Sequence, residues 1–545
     1  MTVLVAANLT LLSGAPEGVE RLRSLIVELA VSGRLAPQES DDEPGALLAT
    51  RLAASKAQAL ADSERRTKAL DRPVLSTWPF EIPESWSWQV LDDLLQITGG
   101  VTLGRKLAGR VLVALPYLRV ANVQRGYLTL DDLKNIEVPE DEVDKYLLQP
   151  GDLLITEGGD WDKVGRTAIW RGEVSLCLHQ NHVFRARGCS DEFLPRWAEL
   201  YLNSVSARSY FAGSSKQTTN LASINMTQLR SCAFPLPPLA EQHRIVAKVD
   251  ELMALCDRLE ARQQDAEAAH ARLVQALLDS LTQARDVDEF RVCWQRVGGQ
   301  FGEIFTTEAS VLSLERALHT LALRDALTEG RTHDRSCAAD DPHPIPESWA
   351  WRALADVTSV LTDGEHLTPQ RTNDRSQIPL ATAKNVRNGH IDLTDTDFVT
   401  TEVAERCWSR CKPAAGDVLM VSVGATLGRL SVLREQREMV IVRSVALFRP
   451  RGVDPDYLAL ALRSPQTQGE IWSRVRQSAQ PCLYLSQARQ LRIPVPPLER
   501  QLHIVAELNE LLALCDQLKS RIAAARAKHA QLAEALVQQA LSTRH

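Results

Sequence analysis

What the sequence withholds narrows it first. No apolar run approaches the roughly 20 residues that span a bilayer, so no transmembrane segment is expected. The apolar opening MTVLVAANLTLLSGA has no Lys or Arg ahead of it, which argues against a secretory signal. Ten cysteines in 545 residues show no framework spacing, which suits reduced thiols in a bacterial-type cytoplasm. Cys407 and Cys411 form a lone CxxxC with no second ligand pair, so no metal site is assigned. Positive charge is not in surplus either: 62 Lys and Arg stand against 69 Asp and Glu. That balance excludes coating of nucleic acid by bulk electrostatics and leaves room only for a small, specific surface.

Recognisable catalytic motifs are missing too. GGVTLGRK (Gly99 to Lys106) lacks the Lys-Ser/Thr ending of a phosphate loop. There is no Asn/Asp-Pro-Pro-aromatic motif of an adenine methyltransferase and no Gly-rich cofactor loop after a strand. HQNH (His179 to His182) is not an HExxH helix, and no carboxylate pair is placed by motif. No catalytic residue and no cofactor is therefore assigned to this chain.

What is present is repetition. PLPPLAEQHRIVAKVDELMALCDRLEAR (Pro235 to Arg262) returns as PVPPLERQLHIVAELNELLALCDQLKSR (Pro494 to Arg521), with 16 of 28 positions identical at an offset of 259. HARLVQALLDSLTQA (His270 to Ala284) returns at the same offset from His529. IPESWSWQVLDDL (Ile82 to Leu94) and ANVQRGYLTL (Ala121 to Leu130) recur at offset 263, as IPESWAWRALADV and KNVRNGHIDL. GDLLITEGG (Gly151 to Gly159) answers GDVLMVSVG (Gly416 to Gly424), and Gly165-Arg166 answers Gly428-Arg429. The chain is a tandem duplication of a globular region followed by a helical segment. The helical segments stay alike while the globular regions diverge, as if one kind of partner grips both helices and two different things face the globular regions.

The helical segments carry a heptad seam. Its apolar members are Val249, Leu252, Cys256, Leu259, Leu273 and Leu277 in the first copy, with Ala266 and His270 completing the steps. In the second they are Leu508, Leu511, Cys515, Leu518, Ile522, Leu532 and Leu536, with Ala525 and His529. Such a seam needs a partner helix, and the other copy is the natural one. From Leu239 to Ala284 a continuous helix would run roughly 65–70 Å. Pro237-Pro238 and Pro496-Pro497 would open the helices, since proline is tolerated in a first turn.

The globular regions read as mixed strand and helix. LPYLRVANV, GDLLITEGG, RTAIWRG and NHVFRAR have strand patterns, and FLPRWAELYLNS and PDYLALALRS read as short helices. Five segments follow: an N-terminal helical segment (1–75), a globular region (76–238), a central helical region with linker (239–340), a second globular region (341–497) and a C-terminal helix (498–545). Within the first segment, Val19 to Pro37 reads as an amphipathic helix stopped at Gly33, with a looser echo in LRDALTEGR.

This order, with the duplicated PLPPLxEQ-type helix opening and the GDxL strand followed by a Gly-Arg turn, resembles the specificity subunit of a type I restriction–modification system. The resemblance covers nearly the whole chain. It departs at Arg500, which stands where Glu241 sits in the first copy, so a contact made by that glutamate would be lost there. The resemblance implies an α+β fold: two α/β target recognition domains in pseudo-twofold arrangement, joined by two long antiparallel coiled-coil helices. It implies that each globular region reads one half of a bipartite, asymmetric site in double-stranded DNA. Two modification (methyltransferase) subunits and restriction (translocase/nuclease) subunits are the implied partners; S-adenosylmethionine, ATP and Mg would belong to them. The chain itself would be non-catalytic and cytoplasmic. The alternative is a coiled-coil interaction scaffold with non-DNA ligands.

Candidate DNA contacts follow from residue chemistry, since Arg, Asn and Gln pair bidentately with purines while Lys more often holds phosphate. In the first region they are Arg105, Lys106, Arg110, Arg119, Asn122, Lys216, Gln217 and Asn220. In the second they are Arg371, Asn373, Arg375, Lys384, Asn385, Arg387, Arg474, Arg476 and Gln477. The acidic run from Asp131 to Asp144 would repel phosphate and is expected to face away from DNA. Trp86, Trp88, Trp349 and Trp351 recur in both halves and are expected in the core.

Overall fold

A computed structural model describes residues 9–62, 78–105, 107, 109–159, 163–214, 216–218, 221–284, 287–325, 335–336, 345–475 and 480–542. The chain divides into two compact units, one of residues 1–264 with 526–545 and one of residues 265–525. Each long helix therefore contributes to both units.

In the first unit, helices α1 (Gly18–Val31) and α2 (Gly45–Asp62) precede strand β1 (Ser87–Val90). The strands β2 (Leu95–Thr98), β3 (Leu112–Leu118), β4 (Lys134–Pro139), β5 (Leu153–Thr156), β6 (Gly158–Gly159), β7 (Thr167–Ile169), β8 (Leu178–His179) and β9 (Val183–Gly188) follow. Helix α3 (Pro195–Leu202), the β10 (Lys216–Thr218)–β11 (Leu221–Ser223) hairpin and β12 (Ala233–Leu236) complete the region. A four-stranded antiparallel sheet has the order β2-β9-β5-β7, and a smaller mixed sheet the order β4-β3-β8. β1 and β12 pair antiparallel and bring the ends of the globular region together.

The second unit repeats this construction. After β13 (Arg335–Ser336) and β14 (Ile345–Pro346) come β15 (Ala350–Ala353), β16 (Thr358–Asp363), β17 (Ile378–Ala381) and β18 (Asp397–Val399). Then β19 (Val418–Val421), β20 (Leu430–Val432), β21 (Val440–Ile441), β22 (Val445–Pro450) and β23 (Arg492–Val495) follow. The sheets are β16-β22-β19-β20 and β18-β17-β21, closed by β15 against β23, the same topology strand for strand.

The repeated motifs have repeated physical reasons. In both GD turns the Asp is buried and grips an Arg from the neighbouring strand: Asp152 with Arg187 Nε at 2.6 Å, Asp417 with Arg449 Nε at 2.8 Å. The Gln of each PPLxxQ opening is buried and donates to a proline carbonyl, Gln242 to Pro237 at 2.9 Å and Gln501 to Pro496 at 2.8 Å. Buried aromatic donors tie the post-sheet helix to the last strand: Trp197 Nε1 to the Pro235 carbonyl, and Tyr457 of α5 (Pro455–Arg463) to that of Pro494. Trp86 and Trp349 are buried, as expected for core residues.

The long helices run Leu239–Thr282 and Leu498–Ser542, 44 and 45 residues, about 66 Å each at 1.5 Å per residue. In the first unit, Ile245, Val249 and Cys256 of the central helix share a core with Ala533 of the C-terminal helix. In the second, Ile504, Leu508 and Cys515 share one with Val274 and Leu278. Both long helices thus enter both cores, but the expected two-helix seam is corrected in two ways.

First, each core holds a third helix: α1 in one unit and α4 (Glu308–Ala322) in the other. Their buried residues match one for one at a displacement of 292, from Gly18 and Ser310 through Val31 and Leu323. Second, the buried line leaves the heptad. Val249, Cys256, Leu508 and Cys515 are buried, and Leu252, Leu259, Leu277, Leu511, Leu518, Ile522 and Leu536 are half-buried. Leu273 and Leu532 instead lie 51% and 49% exposed, while Val274, Leu278, Leu281, Ala533 and Ala540 are buried. From Cys256 to Val274, and from Cys515 to Ala533, is 18 residues, five turns of a straight helix of 3.6 per turn. A strict seven-residue repeat would need supercoiling to stay on one face; residues 261–269 are exposed, so no partner enforces it there.

Candidate nucleic-acid interface

A polar constellation sits where the central strands end. β5 runs into Glu157, whose N–H bonds to the His182 carbonyl and whose carboxylate accepts from His182 Nδ1 at 2.6 Å. The Glu157 carbonyl accepts from Ile224, and β6 pairs with β11, so the hairpin carrying Lys216 and Gln217 is fastened to the same place. Beside it, Arg166 Nη1 donates to Gln124 Oε1 at 2.6 Å. Gly165 precedes that arginine at φ 69°, and a Cβ there would lie 2.2 Å from the Phe211 ring. Only glycine admits this turn, which accounts for the repeated Gly-Arg pair.

The second region keeps this backbone frame and changes its chemistry. Ser422 takes the Glu157 position, bonding to Ser444 where Glu157 bonds to His182. Leu483 donates to the Ser422 carbonyl as Ile224 does to that of Glu157. Gly428 (φ 89°) again packs tightly, against Gln468, and presents Arg429. Arg387 occupies the Gln124 position, since Arg387 and Gln124 donate from their main chain to His390 and Tyr127 at the same offset. An amide–guanidinium pair in one region is thus two guanidiniums in the other, and an imidazole–carboxylate pair becomes two hydroxyls.

His179, in the same HQNH stretch, belongs elsewhere. It is buried on β8, Nδ1 donating to the Val183 carbonyl at 2.7 Å, and burial pushes its pKa down to about 4. It is a neutral core histidine, whereas His182 is half exposed.

Most candidates named from sequence are occupied by other work. Asn122 and Asn385 are corrected outright: both are buried, and their amides hold the turn that follows. Asn122 Nδ2 donates to the Thr129 carbonyl and Asn385 Nδ2 to that of Asp392, each at 2.9 Å. Arg105 pairs with Glu142, Arg110 with Asp141 and Glu142, and Arg119 with Asp132. These anions belong to the acidic run expected to face away, so run and arginines share one surface. In the second region Arg371 pairs with Asp397, Lys384 with Asp395 and Arg474 with Glu470, while Asn373, Arg375 and Arg387 are exposed. Lys216 and Gln217 are on β10, and Lys106, Asn220, Arg476 and Gln477 lie outside the described residues. Among the described residues no group of three His, Cys, Asp or Glu gathers as a metal would require.

Gln124, Glu157, Arg166, His182, Ser422, Arg429 and Ser444 were not singled out from sequence as contacts. The signal was the pair of matching Gly-Arg turns, which marks a position kept in both halves without saying which neighbours it meets.

Residues 83–268 match the family model described as the type I restriction modification DNA specificity domain. The EcoEI specificity subunit of Escherichia coli is 25% identical over 96% of this chain and 94% of its own length. The EcoAI specificity subunit of Escherichia coli is 24% identical over the same shares. The chain is similar to type I restriction enzyme specificity subunits along nearly its whole length. A solved chain from a type I R-M system aligns over 85% of this chain and 99% of its own, at 18% identity and a TM-score of 0.49. No described helix is long and apolar enough to cross a membrane.

Proposed function

We propose that this chain is the sequence-specific DNA-binding subunit of a type I restriction–modification complex. Each globular region reads one half of a bipartite, asymmetric target in double-stranded DNA, and the helices scaffold two modification subunits. One observation carries this reading: a single loop frame is kept in both regions while the side chains on it are exchanged, Gln124 and Arg166 for Arg387 and Arg429, Glu157 and His182 for Ser422 and Ser444. Unlike donors and acceptors suit unlike base pairs, because the major groove presents a distinct pattern for each. Arginine on a fixed turn can reach guanine bidentately, and serine serves either base.

On this reading the chain works in the cytoplasm and supplies the address, not the chemistry. Methyl transfer with S-adenosylmethionine, and ATP- and Mg-dependent translocation and cleavage, belong to modification and restriction subunits. The test is methylome sequencing of cells carrying the chain with its modification subunit. Exchanging residues 83–236 for a foreign recognition region should replace one half-site and leave the other. Arg429→Ala should relax the half-site read by the second region. A methylome indifferent to both changes would leave the scaffold with non-DNA ligands as the better reading.

A further inference from the structure

The duplicated cores share their apolar plan, yet the ionic contacts between short and long helix are reversed in sign. In the first unit Arg23 of α1 reaches Asp257 Oδ1 at 2.7 Å and Glu260 Oε2 at 3.0 Å on the central helix. In the second unit the matching position of α4 is Glu315, which accepts Lys519 Nζ of the C-terminal helix at 2.8 Å. Lys519 is the counterpart of Glu260 at the offset of 259, so both partners have changed sign together. Asp516, the counterpart of Asp257, is unchanged and pairs with Lys519.

A second position is recoded too, one that the sequence flagged as a loss. Gly33 ends the first short-helix segment at φ 71°, and the long helix beside it carries Glu241, which accepts from Trp86 Nε1 at 2.9 Å and from Gln38. In the second unit the position of Gly33 is Asp325, held at φ 56°, and Arg500 replaces Glu241. Arg500 Nε donates to Asp325 Oδ1 at 2.6 Å, and the two residues are 8% and 7% exposed. The lost glutamate contact is thus exchanged for a buried ion pair.

We propose that this reversal and this new buried ion pair form a pairing code that assigns each short helix to its own long-helix opening and rejects the other copy. The apolar faces discriminate weakly, because their buried positions coincide and half of them carry the same residue, Leu25 against Ala317 being the largest difference. The charges do more. Were α4 seated on the opening of the central helix, Glu315 would face Asp257 and Glu260, and Asp325 would face the buried Glu241. A Cβ at the Gly33 position there would also lie 2.5 Å from Pro83 Cγ. Were α1 seated on the opening of the C-terminal helix, Arg23 would face Lys519 beside the unchanged Asp516, and Arg500 would lack the carboxylate of Asp325. Like charges brought together, or one partner of a buried pair withdrawn, cost far more than the matched contact gains. A tandem duplication needs such a device, since each copy offers its sibling, and every second copy of the chain, a near-identical groove.

The test uses the full-length chain in four forms: wild type; Glu315→Arg with Asp325→Gly, which writes the α1 code onto α4; Glu315→Gln with Asp325→Asn, which only removes charge; and the recoded form with Lys519→Glu and Arg500→Glu. Hydrogen exchange of residues 308–323 reports seating of α4, and sedimentation velocity at two concentrations reports exchange of helices with a second copy. The recoded form should open α4 at least about tenfold more than the neutral form, a difference of about 1.4 kcal/mol or more. Unlike wild type and the neutral form, it should gain concentration-dependent self-association. Lys519→Glu with Arg500→Glu should return the protection of residues 308–323 to wild-type levels, while self-association stays above wild type because both grooves then carry one code. Recoded and neutral forms that behave alike would overturn the code and leave the pairs as ordinary stabilising contacts. Failure of the re-matched form to recover protection, or to fold, would overturn it too.

Discussion

Leu273 and Leu278 lie five residues apart on one helix and should respond to truncation in opposite ways. Leu278 is 3% exposed in a core with Val274, Leu314 and Ile504, whereas Leu273 is 51% exposed. Truncating a buried leucine to alanine removes three carbons, worth about 2.4 kcal/mol at about 0.8 each. The cavity left behind raises the cost to about 3–4 kcal/mol. The same change at Leu273 forfeits about 1.2 kcal/mol, because half of that side chain already meets water and no cavity is left. Hydrogen exchange of residues 270–282 is the suitable assay, since a chain of two units need not melt in one transition. Leu278→Ala should raise exchange there by about a hundredfold or more, and Leu273→Ala by less than about tenfold. Equal effects, or a larger one at Leu273, would mean that the helices follow the seven-residue repeat and that the straight-helix account of the buried line is wrong.

Three further outcomes follow from the cores. His179 has a folded pKa of about 4 against roughly 6.5 in an unfolded chain, so the unfolded state binds the proton first. Its stabilising contribution is complete above about pH 6.5 and is lost as pH falls toward 4, about 2 kcal/mol of it by pH 5; denaturant titrations of wild type and His179→Gln at pH 7.5 and 5 should differ by that amount, and parallel pH slopes would refute it. Asp152→Ala strands Arg187 beside a buried strand and should cost the first unit roughly 3–5 kcal/mol, shifting its denaturant transition and not that of the second. Asp417→Ala should do the converse; one joint transition moved equally by both would contradict independent cores.

The duplication, the helix openings and the GD strands were legible because each rests on a local rule. A proline pair opens a helix, a glycine at positive φ permits a turn, and a repeated string carries both to a second place. Helix α1 was legible as an amphipathic stretch stopped at Gly33, but its counterpart α4 was missed and the echo placed just past its end at LRDALTEGR, because only four of the fourteen positions from 18 to 31 recur at displacement 292. The seam register failed at Leu273 and Leu532 because a 3.5 and a 3.6 period drift apart by about half a residue over five turns, enough to pass burial to Val274 and Ala533. Asn122 and Asn385 looked like base readers because an exposed and a turn-holding asparagine have the same spelling. What decides between them is a carbonyl seven residues later, which only the closed turn supplies. The arginines of the first region were misjudged for a related reason: Arg105 and Arg110 stand far from Asp141 and Glu142 in sequence, and β3–β4 pairing brings them together.

The 18-residue step from Cys256 to Val274, and again from Cys515 to Ala533, makes helix length a testable variable. Each step crosses an exposed stretch, 261–269 or 523–528, whose side chains support no core. Residues can therefore be inserted there at little packing cost, provided the faces on either side stay in phase. At about 100° per residue, seven inserted residues turn the distal face by only about 20°, while nine turn it by about 180°. Seven in each helix should leave Val274, Leu278, Ala533 and Ala540 in their cores, with wild-type exchange in both units. Nine should rotate those residues into solvent and expose the cores they fill. On the proposed function the seven-residue form should also accept a different spacer in the DNA target while both half-sites stay the same. Altered half-sites at the old spacer would separate helix length from target geometry and refute the coupling, even with both cores intact.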